Sequence, residues 1–406
     1  MPMLARLSAL VAATALAVST LTLSARPAAA KVTDGAYFND PLVTSKQYTI
    51  RNRIRTLIDK TPGPTKKSAA GVIRVAMYSY SDTEKGTIDA LVRAAKRGVQ
   101  VRLILDSDTT LEPGYTQYAD YFTNLARRYH PAFQVRFCPI GRGCIGNLNP
   151  QSNNHNKFFL FSRTDGTSQV VVQSSANLNK TNAVSYWNNA VVLVNPGLYD
   201  DYRLYFHDLW VQTASSDYGR VTSSGNAKVW HFPMAIGDPV AETLSRDVTC
   251  TGNTAVGLRG RTILRVAMKD FYRIEVAEAL WTLADGGCLI NVAYDEPAAI
   301  EPYLSQSAAV VAALSRPLVH PGGGIQLFLA GPSTADNPQR RLIHSKYLLI
   351  EGTYAGKRNT KVVFTGSHNF SYGSLRDNDE TLLRVASTKI HDQYRTNFRR
   401  IVSTLD

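Results

Sequence analysis

Two short stretches of the chain repeat one chemical pattern. Residues 153–159 read NNHNKFF and residues 342–348 read LIHSKYL, so His155 and Lys157 are matched by His344 and Lys346. Residues two apart on a β-strand point to the same face, so each histidine projects beside its lysine. A neighbouring ammonium favours neutral imidazole, which is suited to act as nucleophile or base, and the lysine is suited to hold an anionic oxygen. Further on come Ser175 and Asn177 in SSAN, and Ser367 and Asn369 in GSHN. A hydroxyl and an amide beside a cation suit phosphate oxygens. If the two sets face one another, one histidine attacks phosphorus and the other protonates the leaving alkoxide. The second histidine then deprotonates water or another alcohol to release product.

The flanks show that these sets belong to duplicated units. IRVAMYSY at Ile73–Tyr80 matches LRVAMKDF at Leu264–Phe271, and each reads as a buried strand. A helix-period segment follows in both, stopped by Gly98 or Gly287 and followed by a strand ending in Asp106 or Asp295. This is a β-α-β unit, the arrangement of a parallel sheet with crossover helices. The matches continue through VVVQSSANLN and VVFTGSHNFS, WNNAVVLV and DNDETLLRV, and YRLYF and YRTNF, at offsets of 189 to 192 residues. The expected organisation is a first repeat over 31–211, a linker over 212–256 in which TASSDYGRVTSSGNAKVW, rich in Ser, Thr and Gly, reads as a connecting loop, and a second repeat over 257–406.

Residues 1–30 stand apart. An early arginine, an apolar run over Leu7–Leu23 and the small residues of RPAAA predict a secretory signal cut after Ala30. The four cysteines all lie beyond it, and export favours two disulfides. Cys138 and Cys144 bracket a tight segment and pair locally, which leaves Cys250 with Cys288. The net charge is +13, and the leader contributes two of the arginines. Such a field attracts polyanions or anionic membrane surfaces without choosing between them. No HExxH, CxxC or DxDxDG spacing points to zinc or calcium, so neither metal nor cofactor is expected. His130, His207, His231, His320 and His391 lack comparable company and read as surface or structural, and His368 as at most a neighbour of the site.

These residues resemble the phospholipase D superfamily, whose signature is His-x-Lys, four residues, Asp, then a Gly-Ser segment, twice in a chain or once in each subunit of a dimer. HSKYLLIEG with GSHNFS follows it, with Glu351 at the aspartate position. HNKFFLFS with SSANLN departs from it at Ser162 and Ser174. The resemblance implies an α/β fold of two pseudo-symmetric α/β/α sandwich repeats with the active site at their seam. It also implies a downstream acid that orients the opposite histidine. Glu380 matches that acid, and Ala190 stands as its counterpart in the first repeat. On this basis His155 is expected to be the nucleophile, oriented by Glu380, and His344 the general acid and base. Lys157, Lys346, Asn177, Asn369, Ser175 and Ser367 would hold the phosphoryl oxygens.

The expected substrate is a phospholipid or membrane surface, which aromatic and apolar loops such as EPGYTQYADYF and EPAAIEPYL would meet. A nuclease is the alternative, favoured by the basic balance and 20 tyrosines for stacking. A silent phosphate- or membrane-binding member is a third reading, supported by the altered first motif. Two motifs in one chain complete a site without a dimer, so a monomer is expected.

Overall fold

A computed structural model describes residues 31–81, 86–107, 116–297 and 299–405. Two mixed sheets carry them. The seven-stranded sheet runs in the order Gly35–Phe38, Asn189–Val194, Thr167–Ser174, Lys157–Thr164, Val72–Met77, Gln100–Leu105, Phe133–Phe137. In the nine-stranded sheet the order is Gly324–Ala330, Leu289–Asp295, Ile263–Met268, Lys346–Tyr354, Lys357–Gly366, Thr381–Ala386, Ala227–His231, Arg220–Ser224. Its ninth strand, Val248–Thr249, pairs with Lys346–Tyr354 off that path.

Both expected β-α-β units are present. Val72–Met77 pairs in parallel with Gln100–Leu105 across the helix Thr87–Lys96, and Ile263–Met268 with Leu289–Asp295 across the helix Ile274–Asp285. Gly98 and Gly287 end those helices at φ 81° and 97°, a conformation that costs a side chain energy and glycine little. The sheets are mixed rather than parallel, because each His-x-Lys strand runs antiparallel to both neighbours.

Those strands are central and buried on both faces, so they read as unbroken apolar runs. Alternate residues nevertheless serve different cores. Phe158 and Leu160, with Tyr347 and Leu349, face a layer shared by the two repeats. The helices Pro196–Val211 and Thr388–Val402 fill it with Tyr202, Tyr205, Tyr394 and Phe398. At about 1.5–3 kcal/mol for each large apolar side chain buried, this shared layer fixes the lobes against each other. Phe159 and Phe161 face an outer core under the helices Thr49–Asp59, Thr87–Lys96 and Thr116–Tyr129. Leu348 and Ile350 face its equivalent under Pro239–Asp247, Ile274–Asp285 and Tyr303–Leu314.

The stretch TASSDYGRVTSSGNAKVW, expected as a connecting loop, holds a strand pair. The hairpin Arg220–Ser224 and Ala227–His231 extends the second sheet, and the helix Pro239–Asp247 covers its outer face. Ala227–His231 pairs with Thr381–Ala386 as Gly35–Phe38 pairs with Asn189–Val194. The second repeat therefore begins inside the expected linker, where Ser- and Gly-rich composition concealed a strand pair.

Both expected disulfides form, Cys138–Cys144 and Cys250–Cys288. Residues 1–30, with the expected signal, and Glu112–Tyr115 of the first aromatic loop lie outside the described residues. Among the described residues no helix is long and apolar enough to cross a membrane.

Candidate active site

Each His-x-Lys motif is set in place by the other repeat. Before His344, Leu342–Ile343 pairs in parallel with Tyr186–Trp187 of the first repeat, and His344 N–H donates to the Trp187 carbonyl at 2.8 Å. Before His155, Asn154 bridges Asp379 of the second repeat, and His155 N–H donates to the Asp379 carbonyl at 3.0 Å. The residue after each of those carbonyls then reaches the imidazole.

Glu380 Oε1 lies 2.6 Å from His155 Nδ1. Burial would raise the Glu380 carboxyl, but His155 and Lys157 overcome it and hold the group down at about 2. An ionised carboxylate only accepts, so His155 Nδ1 carries the proton and Nε2 carries the lone pair. Ser374 donates to the same carboxylate at 2.8 Å, and Ser367 donates to Oε2.

The same construction recurs around His344 with a neutral residue. Asn188 Oδ1 lies 3.0 Å from His344 Nδ1 and accepts from Ser175 Oγ at 2.9 Å. Asn188 Nδ2 donates to the Asn182 carbonyl at 2.9 Å, which fixes the amide with its oxygen towards the histidine. The counterpart of Glu380 is therefore Asn188, not Ala190. Ala190 is a buried core residue of the strand Asn189–Val194. Thirteen residues separate Ser175 from Asn188, as they separate Ser367 from Glu380. Counting from the serines would have found the match, whereas matching the apolar strands shifted the register by two.

Ser175 and Ser367 are corrected as well. Both are fully buried, and their hydroxyls are spent on Asn188 and Glu380. They hold the orienting residues and do not face a phosphate.

The lysines are buried beside the imidazoles. Lys157 Nζ donates to the His155 carbonyl at 2.7 Å, and Lys346 Nζ to that of His344 at 3.0 Å. Burial lowers both ammonium groups, Lys157 well below its usual range and Lys346 to about 8. Burial also lowers both imidazoles. Glu380 partly offsets this at His155, whereas at His344 the charges of Lys346, Lys157 and His155 push further down. The centre thus holds cations whose charged forms burial penalises despite the carboxylates of Glu380 and Asp270 nearby, a penalty that an entering phosphate anion relieves.

Asn177 and Asn369 each keep a buried side-chain oxygen without a protein partner. Asn369 Nδ2 donates to Asp270 at 2.8 Å, and Asn177 N–H donates to Asn182 at 3.2 Å. The halves also differ at their rims. Tyr78 lies edge-on to His155 at 5.0 Å with Lys157 over its ring, whereas Tyr186 stacks on His344 at 5.9 Å. On the His155 side a cleft opens between Tyr78, Asp270, Tyr272, Tyr303, Asn369 and Tyr372.

Other expectations resolve simply. His368 is buried against Phe232 with both ring nitrogens unpartnered, and burial lowers it to about 3. His231 is buried on Asp201 at 2.9 Å, and exposed His320 sits on Asp285 at 2.7 Å. Glu351 pairs with Arg265 and Arg395, whereas Ser162 accepts from Val72 N–H at 2.8 Å. One group of described residues has metal-ligand spacing, Cys138, Cys144 and Asp379, but both sulfurs are spent in the disulfide.

The family described as "Cardiolipin synthase, PLD-like domain" matches residues 66–210 and 261–402, once per repeat. The chain belongs to this phospholipase D-like family. Its coarse function is accordingly phosphodiesterase-type chemistry at a phosphodiester bond. No curated protein matches the sequence significantly.

Among solved structures, polyphosphate kinase from Porphyromonas gingivalis aligns over 90% of this chain at 14% identity and a TM-score of 0.54. This chain spans half of that kinase's length. Phosphatidylserine synthase from Haemophilus influenzae aligns over 91% of this chain and 86% of its own, at 12% identity and a TM-score of 0.58. These likenesses show a shared fold. Nuc from Salmonella typhimurium aligns over 44% of this chain and 95% of its own, at 21% identity and a TM-score of 0.32.

Proposed function

We propose that the protein is an exported, metal-independent phosphodiesterase of the phospholipase D type, acting as a monomer on phospholipid at a membrane surface. It hydrolyses the lipid to phosphatidic acid and free headgroup through a phosphohistidine. The observation that carries this reading is the exchange across the seam, Glu380 on His155 and Asn188 on His344. It gives the two imidazoles different electrostatics, as a nucleophile and an acid require.

His155 Nε2 attacks phosphorus as the bond from phosphorus to the headgroup oxygen breaks, and His344 gives that oxygen its proton. Neutral His344 then takes a proton from water, whose oxygen attacks phosphorus and releases His155 and phosphatidic acid. Lys157, Lys346, Asn177 and Asn369 hold the phosphoryl oxygens as charge accumulates. A lipid substrate is supported by the apolar residues near the cleft: Leu148, Ile300 and Leu304 are 59%, 62% and 47% exposed. Asn149 and Tyr303, their chain neighbours, line it. Export is supported by the leader pattern of residues 1–30 and the even cysteine count.

The test is protein lacking residues 1–30, with chelator present, given phosphatidylcholine vesicles and plasmid DNA in parallel. Choline release that is lost in His155→Asn, with the phosphatidyl group trapped on His155 of the parent protein after an alkaline quench, is the expected result. Cleavage of DNA alone would move the substrate to nucleic acid, and activity surviving His155→Asn would sink the mechanism.

A further inference from the structure

The loop closed by Cys138–Cys144 does more than tie two sulfurs together. Immediately after it bends, the backbone N–H groups of Cys144, Ile145 and Gly146 converge on one carboxylate, Asp379, at 2.6, 3.1 and 2.6 Å. Asp379 comes from the other repeat and is fully buried. Its carboxylate lies within 4.8 Å of both sulfurs. Convergent backbone N–H groups form an anion cradle of this kind.

The sequence around the cradle is constrained to fit it. A Cβ on Gly143 would stand 2.9 Å from Asp379 Oδ2, and one on Gly146 would stand 2.0 Å from the Asp377 carbonyl oxygen. Ser152 braces the loop from behind, accepting from Gly143 N–H at 3.2 Å and donating to the Gly146 carbonyl at 2.9 Å.

Asp379 is also the residue before Glu380. Its carbonyl accepts from His155 N–H at 3.0 Å and its N–H donates to the Asn153 carbonyl at 2.9 Å. One residue therefore fixes the backbone of the His155 motif and the root of the side chain that orients the ring. Trp187, which offers the matching carbonyl to His344, has no such cradle, because it carries an indole where Asp379 carries a carboxylate.

We propose that Asp379 is a positioning residue for His155, and that it acts only while the oxidised Cys138–Cys144 loop presents its cradle. Catalytic competence then depends on oxidation of one disulfide. The inference rests on the reading of His155 as nucleophile and is independent of which phosphodiester is cleaved.

The test uses Cys250→Ser/Cys288→Ser as background, so that Cys138–Cys144 is the only disulfide. A dithiol reductant is titrated in; it is oxidised to its own cyclic disulfide as the protein S–S bond takes up two electrons and two protons. Three quantities are followed: kcat and KM, the low-field proton of the His155 to Glu380 hydrogen bond, and the melting curve. Reduction is expected to lower kcat about 10²-fold, the scale of a small misplacement of a reacting group, with KM little changed. The low-field proton should weaken in step, melting should remain above the assay temperature, and reoxidation should restore both signals. Asp379→Asn should reproduce the loss in the oxidised protein and show little further loss on reduction, because both changes break one device.

Retention of kcat and of the low-field proton after reduction would overturn the proposal. So would losses that add when both changes are made, or that appear only as the protein melts. If the unmodified protein turns over neither lipid nor nucleic acid, the proton signal still decides this question, so its failure is distinct from failure of the proposed function.

Discussion

Asn188 stands to His344 as Glu380 stands to His155. Each reaches across the seam to a histidine Nδ1, at 3.0 and 2.6 Å, and each is held by the serine thirteen residues before it. The duplication kept the geometry and changed the charge. Glu380 partly offsets the loss of basicity that burial imposes on His155, whereas Asn188 supplies orientation without charge.

The pH dependence follows from the sign of those shifts. The free protein must hold His155 neutral and His344 protonated, and burial lowers both imidazoles below their ordinary value of 6.5, His344 well below it. The profile of kcat/KM, which reports the free protein, is therefore expected to fall with rising pH below 6.5, as His344 loses its proton. A bound phosphodiester anion offsets Lys157 and Lys346 and favours the imidazolium, so the same limb in kcat should lie at higher pH. Parallel profiles of kcat and kcat/KM check this, and coincident basic limbs would contradict it. Asn188→Asp should move the kcat/KM limb upward.

Glu380→Gln keeps the shape and removes the charge. A neutral amide no longer dictates which His155 nitrogen is protonated, and the lone pair on Nε2 is no longer secured. A fall in kcat of about 10²–10⁴-fold is expected, the range spanned by losing acid-base or tautomer control at a histidine, with KM little affected. Steady-state kinetics on whichever substrate is turned over decides it. A change confined to KM would assign Glu380 to binding.

Much of this was legible in the sequence, and the gaps have physical causes. The central strands could be read because burial on both faces leaves unbroken apolar runs such as KFFLF and KYLLI. The histidines and lysines stood out because the same pair recurs at equivalent positions of the two repeats, each time followed by a Ser-x-Asn segment. The hairpin over Arg220–His231 was hidden because its outer strand, Arg220–Ser224, lies at the sheet edge and tolerates Thr and Ser there. The phosphate-facing role given to Ser175 and Ser367 failed because composition cannot tell a hydroxyl aimed into a cleft from one spent on a buried neighbour. Asp379 was passed over in DNDE, since nothing local distinguishes a carboxylate bound by three distant backbone N–H groups from one in solvent.

The second disulfide should matter for stability and not for chemistry. Cys250–Cys288 closes a separation of 38 residues and touches neither histidine. Cys250→Ser/Cys288→Ser is expected to lower unfolding free energy by about 2–4 kcal/mol, chiefly by enlarging the conformational freedom of the unfolded chain. Urea denaturation gives the size, and kcat measured below the transition should match that of the parent. A fall in kcat there would mean that the strand Leu289–Asp295 transmits strain to Lys269, through its contact with Asp295 at 2.8 Å.

Ser162 tests whether the altered first motif is a defect or an accommodation. In the second repeat, Glu351 pairs with Arg265 at 2.9 Å and with Arg395 at 3.2 Å. The first repeat retains both cations as Arg74 and Arg203, but Ser162 stands where the carboxylate would be. Burial lowers Arg74, whose guanidinium donates only to Tyr199 Oη, at 3.2 Å, among the hydrogen bonds of the described residues. Ser162→Asp should give that charge a partner while still accepting from Val72 N–H, and a charge-assisted hydrogen bond contributes about 1.5–3 kcal/mol. Added stability at the lower end of that range is expected by urea denaturation. Activity should be unchanged, because position 162 lies five residues, roughly 16 Å of strand, beyond Lys157. A loss of stability would show that Tyr199 already meets the needs of Arg74, and that the serine belongs to a repacked pair.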